Sequence, residues 1–515
     1  MIVRDELPFG FAEKMGFRNL MAYVAPTYKL LSRRTVQNDV VKLMTPQRKD
    51  ALRKFFQSCI QKEDTGFCFT TDIYTNSLQK KAYMAVTIHF IVRSHEWTLY
   101  HTLIGFEQID SPHTGQNIAA KFCKIIQWYG LLQNVFACTM DNAGNNDTFV
   151  ASMKTRIPIM LNGDFFQNRC NAHCYNLIAQ DGLSLLKEQL ADLRTFIKCI
   201  RTPKSNDQFE QRIAEDRNAV RLEKMARPSL DVRTRWNSTH DMIKSVLPYA
   251  EVIDSMSQSE VDDYNVDPET NELRATRVVL PLFEHGFWSN LERLKLFLQP
   301  LKVGTETLSA RKAPTAHLVI EEIHILQDTI DNVQPLETNV LGNAADKMAS
   351  KFVKYYSDLP KSFIIAHILD PRAKLQMVEL FQREDGSNLK ALFLDTIRTT
   401  FDKYFKGEPE SVPAAEIPSS ASSIAGSEVT SSSDPRGFYA ARKAALSKAN
   451  SVQRILLADN SRETVVAPDD LQLYLSHDLE PYVESKDPFD ILLWWRTNEI
   501  KYPKLAVMAA LFLGN

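Results

Sequence analysis

Two stretches decide how this chain folds: FCFTTDIYT, Phe67 to Thr75, and FACTMDNAGNN, Phe136 to Asn146. Each is a short run of apolar, β-branched and aromatic residues bounded by turn-formers, and each ends on an aspartate, Asp72 and Asp141. They read as two strands that deliver one carboxylate apiece. Between them, Tyr83 to Val92 and Glu96 to Glu107 read as a strand pair and Thr114 to Tyr129 as an amphipathic helix. A strand that follows a helical crossover can lie parallel to the first and beside it, so Asp72 and Asp141 are expected side by side. Paired carboxylates repel unless a cation lies between them, which points to Mg²⁺ or Mn²⁺, ions that prefer oxygen ligands.

The 515 residues suffice for several domains with large cores. Lys and Arg number 61 against 63 Asp and Glu, a formal net charge of -2. A nucleic-acid partner would therefore have to be met by a local basic surface. Seven scattered cysteines, without a CxxC pair or a signal-like opening, favour a reducing intracellular compartment. No apolar run reaches the roughly 18 to 20 residues of a membrane span, and Leu505 to Leu513 reads as buried or amphipathic helix.

Working outward, Met1 to Thr45 reads as helices broken at Pro26, and Pro46 to Gln61 as a helix with Leu52, Phe55, Phe56 and Cys59 on one face. Gly66 to Leu177 is mixed α/β. From Ala179 to Lys406 the pattern is helical, as in FWSNLERLKLFLQPL from Phe287, and predicts an all-α region. Residues 407–436, rich in Ser, Ala, Pro and acids, read as a disordered linker. Helix returns from Asp469 to Asn515. The expected division is 1–62, a helical region; 63–178, the first part of the α/β core; 179–459, an all-α insertion; and 460–515, the end of the core.

Several residues carry two readings. An aspartate closing a strand is commonly a turn or cap residue; two such aspartates in one α/β unit point to a metal site. Asn142, Asn145 and Asn146 suit capping of the next helix, contact with phosphate, or support of the carboxylate. RCNAHCYN, from Arg169, places Cys170, His173 and Cys174 together but lacks the fourth ligand of a zinc site. His173 is then a buried hydrogen-bonding residue or a group directed at a scissile phosphate. In DVRTRWNSTHDM, from Asp231, Arg233, Arg235 and Trp236 suit either a phosphate clamp with base stacking or an Arg packed over a core Trp.

Taken together, the motifs resemble the hAT transposases over nearly the whole chain. TTDIYTNS is similar to the strand with the first catalytic aspartate and TMDNAGNN to the second. RCNAHCYNL looks like the Cys-x-x-His segment, TRWNST the Arg-Trp motif, ILDPRAKL a helical landmark, and DPFDILLWWRTNEIKYPKLAVMAALFL the C-terminal dimerisation segment. The resemblance implies a ribonuclease H-like core, a mixed sheet flanked by helices, interrupted by a large all-helical insertion. It implies a DDE site in which two metal ions serve attack on a DNA phosphodiester. Asp72 and Asp141 would be metal ligands, and His173 would assist at the phosphate. Trp236 and Arg235 would contact DNA at a flipped base, and Arg233 and Asn142 are further DNA-binding candidates. Trp494, Trp495, Tyr502 and Leu505 would serve dimerisation or close the chain's own core.

The family's third acid is a Glu in a Glu-Leu-x-x-Tyr-Leu pattern. DDLQLYL places Asp470 there, one methylene shorter, with Glu463 and Glu480 as substitutes. No BED-type zinc finger set occurs in this sequence, which implies a fragment, a truncated copy or a domesticated descendant. Expected partners are transposon ends and target DNA, and a second copy of the chain, in the nucleus. No membrane or small-molecule substrate is expected. The rival to the enzyme is an inactive scaffold that dimerises and binds DNA or protein.

Overall fold

The computed structural model describes residues 7–515 except 64, 77, 79, 95, 258–259, 267–272, 284–285, 311, 334–339, 382–387, 407–435, 438, 440, 442, 444–468 and 482–488. The chain divides into two compact units, Met1–Gln167 and Asn168–Asn515.

Unit 1 opens with helices α1 (Met15–Val24), α2 (Arg33–Asn38) and α3 (Thr45–Glu63). There follow β1 (Phe67–Asn76), β2 (Lys81–Val92), β3 (Thr98–Ile109), α4 (Gly115–Tyr129), β4 (Val135–Met140), α5 (Asn146–Arg156) and the short β5 (Gln167–Arg169) at the unit boundary. The sheet order is β3-β2-β1-β4-β5, antiparallel across β1, β2 and β3 and parallel between β1 and β4. The crossover helix thus sets β4 beside β1, as the sequence predicts.

Alternation along the strands sends Phe67, Phe69, Met84, Val86, Ile88 and Phe90 into one core with α3 and α4. Phe56 of α3 packs edge-on against Phe67 and Phe90, and Phe122 of α4 against Phe69 at 5.4 Å. Each such buried side chain contributes about 1.5 to 3 kcal/mol relative to exposure. Thr114 caps α4 by accepting from Asn117 N at 3.3 Å, and Gly130 ends it in the left-handed region at φ 74°. A Cβ on Gly115 would lie 2.4 Å from Phe149 N, so glycine lets α4 and α5 start this close together.

The first strand departs from expectation. Asp72 does not end it: β1 runs on to Asn76, with Asp72 opposite Ala85. Ile73, Tyr74 and Thr75 suit an extended backbone and keep the antiparallel ladder going after the parallel pairing with β4 has ended at Thr70.

Unit 2 is mainly helical. It contains α6 (Asn171–Leu183), α7 (Lys187–Cys199), α8 (Pro203–Glu215), α9 (Ala219–Leu222), α10 (Trp236–Val246) and α11 (Ala250–Met256). After these come α12 (Phe287–Leu308), α13 (Val319–Val333), α14 (Val340–Tyr356), α15 (Lys361–Ile368) and α16 (Leu389–Lys406). The C-terminal part supplies α17 (Asp470–Ser476), α18 (Ile491–Asn498) and α19 (Pro503–Leu513). Helix α6 packs on α14 and α12, and α15 on α16 and α19.

One expectation fails here: the region read as all-α contains an antiparallel hairpin, β6 (Glu260–Val266) with β7 (Leu273–Val279), in the register Glu260 to Val279. Val261, Tyr264, Val266, Val278 and Val279 give these segments the β-branched and aromatic content of strands, a local signal outweighed by the helical pattern on either side. The expected border at 178/179 falls inside α6, whose buried Cys174, Tyr175, Ile178 and Ala179 continue one apolar face across it. The linker expectation falls outside the described residues apart from Arg436.

Candidate functional site

In unit 1 the parallel register pairs Cys68 with Ala137, Phe69 with Cys138 and Thr70 with Thr139, where it ends; Asp72 follows two residues on in β1, and Asp141 comes directly after β4. Neighbouring strands lie about 4.8 Å apart, so the two carboxylates spring from adjacent backbones. Cys68, Thr70 and Asp72 occupy the sheet face opposite the Phe67 and Phe69 core.

Asp141 is held. Its Oδ1 accepts from Ala143 N and from Asn146 Nδ2, both at 3.0 Å, and Asn146 Nδ2 also donates to the Asp141 carbonyl at 2.7 Å. Asn146 therefore supports the carboxylate. Asn145, at the cap position of α5, instead donates from Nδ2 to His113 O at 3.1 Å. Asn142 is half-buried in the turn directly after Asp141. Asp72 is exposed, and its carboxylate has no partner among the described residues.

Two carboxylates on adjacent strands, one braced and one open, fit Mg²⁺, which takes one or two protein carboxylates and completes its octahedron with water and phosphate. No group of three or more His, Cys, Asp or Glu residues able to hold a metal occurs among the described residues.

The same face carries side chains that the sequence reading passed over. Thr70 Oγ1 lies 3.2 Å from His89 Nε2, and His89 stacks across the strands on His101 at 6.1 Å. Burial, and next the neighbouring His101, lower the His89 pKa to about 4. Tyr83 stacks on Phe106 at 5.4 Å and 4°, with Tyr74 abreast of Tyr83. Tyr74 and Phe106 are 59% and 58% exposed. The available signal was the period of two, which puts Tyr74 on the Asp72 face.

Unit 2 brings the next two motifs together. Asn176 Oδ1 accepts from Trp236 N at 3.3 Å, and Gln180 Nε2 donates to Thr234 O at 2.8 Å. His173, one turn before Asn176 on α6, is half-buried. Arg233 and Arg235 are exposed. Trp236 is 2% exposed, and its indole N–H has no acceptor among the described residues, a burial that costs about 1 to 3 kcal/mol. The Arg194 guanidinium makes a two-point pair with Asp231, which also accepts from Thr239 Oγ1 at 2.7 Å. Burial works to raise the Asp231 pKa, but Arg194 and Thr239 outweigh it and hold the carboxyl below its usual range.

Four segments match family models. Residues 70–165 match the ZBED1 RNase-like domain and 168–280 the ZBED1 RNase-like helical domain. Residues 317–407 match the hAT-like transposase RNase-H fold, and 470–514 the hAT family C-terminal dimerisation region. The chain belongs to the hAT transposase family. "Putative AC transposase" of Zea mays is 27% identical over 514 residues, 99% of this chain and 58% of that protein. Zinc finger BED domain-containing protein RICESLEEPER 2 of Oryza sativa subsp. japonica is 23% identical over 99% of this chain and 66% of its own length. DAYSLEEPER of Arabidopsis thaliana, also named as a zinc finger BED domain-containing protein, gives the same three percentages. The chain therefore spans little more than half of the first relative.

In this hAT chain the C-terminal segment is locked in place by ILDPRAKL, Ile368 to Leu375. Lys374 Nζ donates to the carbonyls of Tyr474 (2.8 Å), His477 (3.0 Å) and Asp478 (3.1 Å) at the end of α17. Tyr474 OH donates to Ile368 O, and Trp495 Nε1 to Leu369 O, both at 2.9 Å. Asp470, the first residue of α17, accepts through Oδ2 from Lys504 N at 2.6 Å and caps the start of α19. Trp495, Tyr502 and Leu505 are buried in the chain's own core, and Trp494 is half-buried with its indole N–H donating to Glu480 at 2.8 Å. Glu463 falls outside the described residues.

Proposed function

We propose that this hAT chain performs divalent-metal-dependent DNA strand cleavage and transfer at Asp72 and Asp141. The observation that supports the reading is the parallel pairing of β1 with β4, the two adjacent strands that lead to these aspartates. Mg²⁺ or Mn²⁺ bound there would supply Lewis-acid polarisation of the phosphate and a more acidic attacking water. Asp72 and Asp141 would hold it. Asn146 keeps the Asp141 carboxylate in one orientation, and Asn142 lies next to that carboxylate in sequence.

His173, Arg233, Arg235 and Trp236 would contact the DNA from unit 2, with the arginines on phosphate. Stacking of a base on Trp236 requires the indole to be uncovered, since it is buried as it stands. Asp470 is the proposed third carboxylate. The partners would be transposon ends and target DNA, with self-association through 470–514, where Leu493 and Ile500 are the exposed large apolar side chains. Nuclear residence follows from that partner.

One observation favours the second reading, an inactive scaffold: the Asp470 carboxylate already serves as a helix cap. Nicking of supercoiled plasmid by the full chain with Mg²⁺ or Mn²⁺ separates the two. The enzyme reading expects nicking that disappears in Asp72→Asn and Asp141→Asn, whereas absence of nicking with both ions leaves the scaffold.

A further inference from the structure

Helix α3 and the C-terminal end of α4 carry a cluster of cations that the acid site does not use. Over α3, Thr45–Glu63, the sequence holds Arg48, Lys49, Arg53, Lys54 and Lys62 against Asp50 and Glu63, in a chain whose net charge is -2. Phe55, Phe56 and Cys59 turn one side of α3 onto the sheet, which leaves the charged side facing outward. There Lys49 Nζ and the Arg53 guanidinium stand 6.0 Å and 5.7 Å from the ring of Trp128, whose indole is 42% exposed. Lys124, one turn before Trp128 on α4, is exposed, as is Lys54. None of Lys49, Arg53, Lys54 and Lys124 is paired with a carboxylate among the described residues.

An ordinary solvated helix face mixes its charges. Here two cations stand over one half-exposed indole and neither is paired with a carboxylate among the described residues, an arrangement that favours a polyanion. Two cations fixed over one ring also lose little side-chain freedom on binding. The patch lies on the helical side of the sheet, opposite the Asp72 face, so it does not belong to the acid site.

We propose that Lys49 and Arg53 over Trp128, with Lys124 one turn before it on α4 and Lys54 next to Arg53 on α3, form a docking site for the phosphate backbone of duplex DNA. The occupant follows from charge complementarity in a chain with no global attraction for polyanions. The choice of DNA over another polyanion rests on the function proposed above. Contacts of this kind position the duplex and read no sequence.

The test is anisotropy titration of a labelled duplex of arbitrary sequence with the full chain, from about 50 to about 200 mM salt. The comparison is with K49Q/R53Q/K124Q and with K54Q/K124Q, exposed or half-exposed positions where Gln retains much of the aliphatic stem. Removing three phosphate contacts is expected to flatten the slope of log K against log salt by about 2 to 3, and removing two by about 1 to 2. Unchanged slope and affinity in both charge variants, with melting curves like the parent's, would overturn the site while leaving plasmid nicking intact. Equal affinity of poly-glutamate for the patch would overturn the choice of DNA. If the charge variants lose slope but the parent never nicks plasmid, the docking site stands and the catalytic reading falls.

Discussion

The acid pair of unit 1 and the ionic network of unit 2 use the same side chains to opposite ends. Asp370 is 2% exposed; its Oδ1 accepts from Arg372 N and Nε at 2.9 Å and its Oδ2 from Nη2 at 2.6 Å. Burial works to raise its pKa, but Arg372 overrides burial and holds the carboxyl well below the usual range. Around it Glu321 pairs with Lys443, Glu322 with Arg436, and Tyr439 donates to Asp328. Asp72, by contrast, is exposed and without a partner among the described residues. A buried, paired carboxylate is committed to structure; an exposed one without a partner is left for a ligand.

That contrast breaks most easily at Asp370. Asp370→Ala takes the two-point carboxylate partner from the half-buried Arg372 and is expected to cost about 3 to 5 kcal/mol in chemical denaturation. A loss below about 1 kcal/mol would show that the network is not structural. Asp72→Asn should do the reverse, moving the unfolding free energy by no more than about 0.5 kcal/mol while lowering metal-dependent nicking by about 100-fold or more. Asn146→Ala sharpens the comparison, since releasing the braced carboxylate should weaken Mn²⁺ affinity by about 10-fold or more, read by calorimetry.

The pH dependence should also divide the units unequally. Burial lowers the pKa of His317 and His367 in unit 2, and of His89 in unit 1, to about 4. A histidine kept neutral by folding contributes nothing above its unfolded value near 6.5. As pH falls from about 6.5 to about 4 the unfolded chain takes up protons that the folded chain refuses, so stability declines through that window and levels off below it. Denaturation at stepped pH should show this decline, and His317→Leu with His367→Leu should flatten it more than His89→Leu does. A modest loss of stability, about 1 kcal/mol, is expected in Asp469→Ala, because Asp469 forms a capping box with Gln472 at the start of α17.

Local signals made most of unit 1 legible. Apolar, β-branched and aromatic runs gave β1 and β4, the pattern between them gave β2, β3 and the amphipathic α4, and the crossover rule placed β4 beside β1. What the sequence withheld depends on distant partners. The capping role of Asp470 needs Lys504 beside it, and the grip of Lys374 needs three carbonyls of the C-terminal segment. Trp495, Tyr502 and Leu505 have the same helical spacing whether they face a second copy or their own core, so periodicity could not choose, and they are buried at home. The cations of α3 were visible as composition, but their meeting with Trp128 required the fold. The hairpin of β6 and β7 was masked by helical sequence on both sides.

The most direct measurement is the rate at which the full chain nicks supercoiled plasmid in Mn²⁺, set against Asp72→Asn and Asp141→Asn at matched folded concentration. The account predicts nicking by the parent that falls about 100-fold or more in each variant while their melting curves stay superimposable. Nicking at the parental rate in both variants would contradict it, because the chemistry would then lie away from the paired strands.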